Sequence, residues 1–158
     1  MVEVTQTFGE TETDGPDEDY WVICLHEVAG CPAILRLISG VPDAMITESC
    51  DERVAIHWSY EAEADGLPRD AESARMDFFE DVLAETVEDS MGACLAMVAT
   101  AKGTKEWSVY AEDGEAVAAF VMQLARANGL PVEVSCEKDP DWGAYHRLMA
   151  KAQDQESQ

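Results

Sequence analysis

The segment with the clearest single period along the chain runs over residues 69–90. Apolar side chains recur there at intervals of three and four, which predicts an amphipathic helix with one face in a core. The positions that define this face are Phe79, Val82, Leu83 and Val87. Pro68 precedes the segment, and Asp70 is placed to cap the first free amides of the helix.

Alternation of apolar and polar residues, or short apolar runs, predicts six strands elsewhere in the chain. The predicted strands are residues 20–28, 33–38, 53–60, 91–101, 106–111 and 132–137. A second helix is predicted over 115–128, with Asp113 as its cap and Gly129 at its end. A third helix is predicted to open at Asp139-Pro140-Asp141-Trp142, where the aspartates and the proline suit a helix start.

From residue 53 to residue 137 the predicted order is strand, helix, strand, strand, helix, strand. This βαββαβ order is the split βαβ unit of an α+β, ferredoxin-like sandwich, in which right-handed crossovers place both helices on one face of the sheet. We expect the N-terminal β-hairpin to extend this sheet or to cover part of its other face. We expect the C-terminal helix to pack at an edge. The predicted organisation is a flexible acidic lead-in over 1–19, one domain over 20–152 and a disordered tail over 153–158.

The charge of the chain limits its partners. With 33 acidic and 10 basic residues, the formal net charge is −23. Nucleic-acid backbones and anionic membranes would be repelled, so we expect neither as a partner. A basic protein partner, adaptation to high salt and simple solubility all remain compatible with this charge. No apolar run reaches the length needed to span a bilayer, and nothing in the pattern indicates an oligomeric state.

Acidic residues follow one another along the face of the 69–90 helix opposite its apolar positions. Asp77, Asp81, Glu85 and Asp89 are spaced by four, and Glu80 and Glu88 lie beside them. Like charges at this spacing cost about 0.2–0.5 kcal/mol per pair, and no lysine is interleaved to offset them. These six residues are the candidate partner-binding surface, and a merely solvated face is the alternative.

Aromatic residues of the predicted strands indicate a second candidate site. They could line a pocket between the N-terminal hairpin and the sheet, which would suit a small ligand or a substrate. The residues concerned are Trp21, His57, Trp58, Tyr60 and Trp107. They suit an ordinary core equally well.

We expect no metal and no cofactor. Two groups of potential ligands lack the spacing of zinc or calcium sites. These groups are Cys24, His26 and Cys31, and Asp65, Asp70 and Glu72. There is no glycine-rich phosphate loop and no Gly-x-Ser-x-Gly elbow. The five cysteines form no Cys-x-x-Cys pair, and no secretory leader is recognisable, so we expect reduced thiols and a cytoplasmic location.

Several short motifs occur in an order that resembles a known bacterial family. They are Trp21, Pro32, Asp65-Gly66-Leu67-Pro68 with Glu72, Gly103 followed by Trp107 to Tyr110, and Asp139-Pro140-Asp141-Trp142 with Tyr145. From about residue 20 to residue 148 the chain resembles the domain-of-unknown-function family 695 (DUF695). That family has no assigned chemistry. Its fold is similar to that of regulator of ribonuclease activity B, a small acidic ribonuclease E inhibitor that works by binding.

Taken together, the sequence favours a non-enzymatic acidic domain that binds proteins, as an inhibitor or regulator of a basic protein that acts on nucleic acid. One alternative is a small enzyme or ligand-binding domain that uses the aromatic pocket. Another is an acidic protein adapted to high salt with no charge-directed partner.

Overall fold

A six-stranded sheet carries the fold. The structure, a computed structural model, describes residues 21–28, 31–40, 48–61, 68–101 and 103–156. The strands are β1 Trp21–Val28, β2 Cys31–Ile38, β3 Glu52–Ser59, β4 Cys94–Ala101, β5 Thr104–Ala111 and β6 Val132–Lys138. The helices described in full are α1 Asp70–Ser90, α2 Gly114–Asn128 and α3 Gly143–Glu156.

The strand order confirms the predicted ferredoxin-like α+β fold. The sheet has the order β1-β2-β4-β5-β3-β6, and every neighbouring pair is antiparallel. The four strands after the hairpin therefore form the β4-β5-β3-β6 arrangement of a split βαβ unit. The hairpin of β1 and β2 pairs with β4, so it widens the sheet by two strands.

Helices α1 and α2 both cover one face of the sheet, as predicted. Helix α1 lies over β4, and α2 lies mainly over β3 and β6. The apolar face of α1 is fully buried at Met76, Phe79, Leu83 and Val87, whereas Val82 is only half-buried. This face packs with strand residues such as Ile56 and Val109 in the larger of the two cores.

Helix α3 covers the opposite face of the sheet and does not pack at an edge as we expected. Its buried residues join a second core with residues from β1, β2, β4 and β5. The helix contributes Tyr145, Met149 and Ala152, and the strands contribute Cys24, Leu35, Leu37, Met97 and Tyr110. Because the hairpin widens the sheet, it adds apolar residues to this face, and burying them favours a covering helix.

The helix ends agree with the predictions at α2 and differ at α1 and α3. The Asp113 carboxylate accepts a hydrogen bond from the Ala116 N–H, and Gly129 ends α2 in the left-handed conformation. In contrast, Arg69 holds the cap position of α1 without a side-chain hydrogen bond, and Asp70 is already helical. Helix α3 begins at Gly143 and not at Asp139 as predicted, and it continues to Glu156, beyond the predicted domain end at residue 152.

The described residues also bear on the predictions about membrane spans and cysteines. No helix within them is both long enough and apolar enough to cross a bilayer. Free thiols are found at Cys50 and Cys94, which are buried, and at Cys136, which is exposed. The predicted lead-in over 1–19 lies outside the described residues.

Candidate binding surface

One side of α1 presents a line of exposed carboxylates. Asp77, Asp81, Glu85 and Asp89 are all exposed, and we refer to these four residues as the acidic row. Within the described part of the chain, no Lys or Arg lies within ion-pair distance of any of the four. The last turn of the helix also contains no basic residue. The acidic row therefore forms no ion pair with the described residues.

Glu80 does not belong to this exposed surface, although the sequence grouped it there. Its carboxylate accepts hydrogen bonds from both terminal nitrogens of Arg36, at 3.0 and 2.7 Å, and from the Trp107 indole N–H at 3.0 Å. Burial alone would raise the pKa of Glu80, but the bonds and charge of Arg36, with the Trp107 bond, lower it below the ordinary value. Glu80 is thus occupied in joining α1 to the sheet.

Glu88 is also drawn back toward the sheet. Its side chain is exposed as a whole, yet one carboxylate oxygen accepts a hydrogen bond from the Leu95 N–H at 3.3 Å. The pKa of Glu88 is raised above its ordinary value, mainly because the carboxylate is partly buried. The hydrogen bond from Leu95 lowers the pKa, and the charge of Asp89 raises it further. Of the six predicted surface residues, Glu80 and Glu88 therefore bond to the sheet, and the four residues of the acidic row remain exposed.

Glu72 has a structural role that sequence reasoning missed. It accepts a hydrogen bond of 2.7 Å from the Trp58 indole N–H, and Arg75 lies over the ring of the same tryptophan, 5.6 Å from its centroid. A buried tryptophan needs an acceptor for its N–H. Glu72 lies seven residues before Phe79 and so on the same side of the helix. The position of this acidic residue on the same side as the buried apolar residues is the signal from which the structural role of Glu72 could have been predicted.

The predicted aromatic pocket is occupied by its own rings. Trp58 and Trp107 are fully buried, with ring centroids 6.1 Å apart. Phe79 of α1 meets both, with centroids 5.8 Å from Trp58 and 4.8 Å from Trp107 in edge-to-face geometry. Tyr60 is also buried, in the same core. These rings fill the space beneath α1, so the structure contradicts their assignment as pocket walls.

His57 does not face those rings, and Trp21 packs only at the margin of their core. His57 alternates with Trp58 along β3 and so faces the other side of the sheet. There its Nε2 lies 3.5 Å from Glu106, which also pairs with Arg53 at 2.9 Å. Trp21 lies in the edge strand β1 and is half-buried, with Arg36 over its ring. The five predicted residues thus do not form one site.

The Asp139–Trp142 motif is explained by packing and capping, as the sequence suggested. Asp139 accepts hydrogen bonds from the N–H groups of Gly143 and Ala144, at 2.8 and 3.0 Å, and from the Tyr110 hydroxyl at 2.7 Å. Trp142 stacks on Tyr110 with centroids 4.1 Å apart, and its indole N–H donates to the Cys50 carbonyl. This motif anchors α3 to the sheet.

The described residues contain no group of three or more His, Cys, Asp or Glu side chains placed to hold a metal ion. The side chains of His26 and Cys31, and residue Asp65, lie outside the described residues. Of the group Asp65, Asp70 and Glu72, which lacked the spacing of a calcium site, only Asp70 and Glu72 are described, and Glu72 is engaged with Trp58.

Comparisons with known proteins place the chain in a family. A comparison with curated proteins gave no match. A family model described as "Family of unknown function (DUF695)" matches residues 19–149. This match includes every strand, α1 and α2, and it agrees with the resemblance noted from the motifs. The chain therefore belongs to the DUF695 family.

Proposed function

We propose that this domain binds a basic protein partner through the acidic row and so inhibits or regulates that partner. The observation that supports the proposal is a contrast within one helix. Three glutamates of α1, at positions 72, 80 and 88, are engaged by the sheet. The four carboxylates of the acidic row are exposed, and none of them forms an ion pair with a Lys or Arg of the described residues.

The acidic row also has a cost to stability. It contains three successive pairs of like charges at a spacing of four, which together destabilise the helix by about 1 kcal/mol. Such a cost persists where a surface has a role beyond folding. A row of carboxylates of about 18 Å, given a rise of about 1.5 Å per residue, suits several Lys or Arg side chains on one partner surface.

A partner that acts on nucleic acid fits the same chemistry. Proteins that bind nucleic acid carry clustered basic residues for phosphate contacts. An acidic domain can cover such residues and compete with the nucleic acid. A cytoplasmic location is part of the proposal, supported by the free thiols of Cys50 and Cys94.

The test is a quantitative pull-down from the native host with three forms of the protein as bait. They are the parent, a row variant with Asp77→Asn, Asp81→Asn and Glu85→Gln, and a control variant with Glu112→Gln, Glu133→Gln and Asp141→Asn. The control residues are equally exposed and the change in net charge is the same. A basic protein that is retained by the parent and the control but lost from the row variant supports the proposal.

The salt dependence of the recovered complex supplies a second measurement. Association through the acidic row should weaken steeply as salt rises, and the row variant should show a shallower dependence than the control. If every basic protein binds the row variant and the control equally well, the acidic row is not the docking surface.

A further inference from the structure

The hairpin leaves an apolar face beside the acidic row. Strand alternation and pairing place Ile23, Leu25, Ile34 and Arg36 on the face that α1 and α2 cover farther along the sheet. In the register, Leu25 is opposite Ile34 and Ile23 is opposite Arg36, and Arg36 reaches α1 through Glu80. Leu25 is 57% exposed, and Ile23 and Ile34 are half-buried.

The dimensions of this face fit one helix. Strands are about 4.8 Å apart, so β1 and β2 widen the sheet by about 10 Å. Helices pack side by side about 8–10 Å apart. Helices α1 and α2 cover the four strands of the split βαβ unit, which is two strands for each helix. Among the described residues, no helix lies over the corresponding face of β1 and β2. The uncovered width therefore equals the space of one further helix beside α1.

The acidic row begins at the border of this face. Asp77 is three residues before Glu80 and so shares the hairpin side of α1. It lies close enough to Lys105 of β5 to attract the Lys105 ammonium. Asp81 follows one turn later. The cations on this floor are already engaged, because Arg36 pairs with Glu80, and Lys105 lies over the Trp107 ring and is attracted by Glu80 and Asp77. A helix in the groove would meet apolar side chains below and carboxylates along one flank.

Charge selects among the possible occupants. The chain's own residues 1–20 contain seven acidic residues and no Lys or Arg, so the carboxylates of α1 would repel them. A second copy carries the same net charge of −23 and would be repelled as well. A segment with Lys or Arg along one side and apolar residues along the other is complementary to both halves of the surface.

We propose that the groove between the β1–β2 hairpin and α1 binds an amphipathic basic helix of the partner. The apolar side of that helix packs on Ile23, Leu25 and Ile34, and its cations meet Asp77 and Asp81. This inference rests on the proposed function and adds an apolar half to the docking surface. It predicts that binding keeps a salt-resistant part, because burial of apolar area is not screened by salt.

Two synthetic peptides serve as probes. The first has about 18 residues, with leucines at intervals of three and four and lysines on the other side. The second has the same composition in a scrambled order without an apolar face. Binding of each is measured by titration calorimetry at low and high salt. The proteins are the parent, the row and control variants described above, a hairpin variant and a second control.

The hairpin variant carries Leu25→Thr and Ile34→Thr, because the β-branched threonine side chain is suited to a strand. Its matched control is Phe78→Gln. Phe78 is 52% exposed and points away from the hairpin, because it lies two residues, or about 200°, from Glu80. Thermal unfolding of both variants verifies that they fold. Should the double variant not fold, Leu25→Thr alone replaces it.

The proposal predicts that the parent binds the amphipathic peptide about tenfold more tightly than the scrambled one. The hairpin variant should lose that difference, and Phe78→Gln should keep it. The row variant should bind both peptides less tightly than its charge-matched control.

The other outcomes separate the two proposals. Suppose that both peptides bind equally, that the hairpin variant binds like the parent, and that the row variant binds less tightly. Docking then uses charge alone, so the proposal of helix binding in the groove is overturned and the proposed function stands. If the row variant matches its control with both peptides, the proposed function is overturned and the inference falls with it.

Discussion

Arg36 and Glu80 form a bidentate ion pair that links the hairpin to α1, with nitrogen–oxygen distances of 3.0 and 2.7 Å. Both side chains are mostly buried, with 23% and 17% of their surfaces exposed. Glu80 also accepts the Trp107 N–H. One carboxylate therefore holds together the edge hairpin, the central strand β5 and the helix that carries the acidic row.

Replacing Glu80 by alanine should lower the free energy of unfolding by about 2–3 kcal/mol, because it leaves the Arg36 charge and the Trp107 N–H without their acceptor in a mostly buried place. Urea unfolding measures the change. The control is Asp81→Ala, one residue farther along and exposed, which should not destabilise the protein, because it relieves like-charge repulsion along the helix. Equal effects of the two substitutions would show that the ion pair is not important for stability.

The pH dependence of stability should change with Glu80→Gln. The pKa of Glu80 is lowered in the folded state, so the unfolded chain binds a proton here more readily. The stabilisation by Glu80 is therefore complete above the ordinary glutamate pKa and is lost as pH falls through the lower folded value. The difference between the parent and Glu80→Gln should be largest near neutral pH and should shrink in acid. A difference that is constant with pH contradicts this sign.

Glu88 should show the opposite sign. Its pKa is raised, first by burial, so its charged form destabilises the fold at neutral pH, and this penalty disappears as pH falls below the ordinary glutamate pKa. Glu88→Gln keeps an oxygen for the Leu95 N–H and removes a negative charge from the last helical turn. It should stabilise the protein by about 0.5 kcal/mol near neutral pH and by nothing in acid. Asp89→Asn, which removes an exposed charge from the same turn and its repulsion of Glu88, is the control, and an equal gain there would exclude a role for burial.

Loss of the Asp139 carboxylate should loosen the attachment of α3. Asp139→Ala removes the acceptor of the Gly143 and Ala144 N–H groups and of the Tyr110 hydroxyl, which should cost about 2–3 kcal/mol. The neighbouring Asp141→Ala is the control, because Asp141 is exposed. If Asp139→Ala unfolds at the same urea concentration as the parent, the motif needs another explanation than anchoring.

The row variant with Asp77→Asn, Asp81→Asn and Glu85→Gln should be more stable than the parent by about 1 kcal/mol at low salt, because it relieves repulsion along the helix. The gain should shrink at high salt, where screening relieves the same repulsion in the parent. Melting temperatures over a salt series measure both effects. Adaptation to high salt predicts instead a similar gain for the control variant with Glu112→Gln, Glu133→Gln and Asp141→Asn, since general self-repulsion does not depend on place.

The apolar period of the chain was sufficient to predict the strand and helix order, and with it the ferredoxin-like arrangement. Phe79, Leu83 and Val87 are buried as their spacing predicted. The side of the sheet that α3 covers was not predictable in the same way. It depends on how far the hairpin widens the sheet, and strand pairing across distant segments leaves little trace in local periodicity.

The roles of the acidic residues were the least predictable feature. Charge spacing alone placed Glu80 and Glu88 with the acidic row. In the structure, however, Glu80 accepts a hydrogen bond from Trp107 of β5, and Glu88 accepts one from Leu95 of β4. The aromatic residues gave a related error, because rings that fill a core and rings that line a cavity have the same composition. In both cases the deciding quantity is the distance between side chains from different elements.

Two indole groups determine the rotation of α1 about its axis. Trp58 donates to Glu72 and Trp107 donates to Glu80, acceptors eight residues or about 12 Å apart along the helix. Turning or sliding the helix would break both bonds at once. These two buried hydrogen bonds therefore help to fix the direction in which the acidic row points. A substitution at Trp58 or Trp107 should reorient the acidic row although none of its own residues is changed.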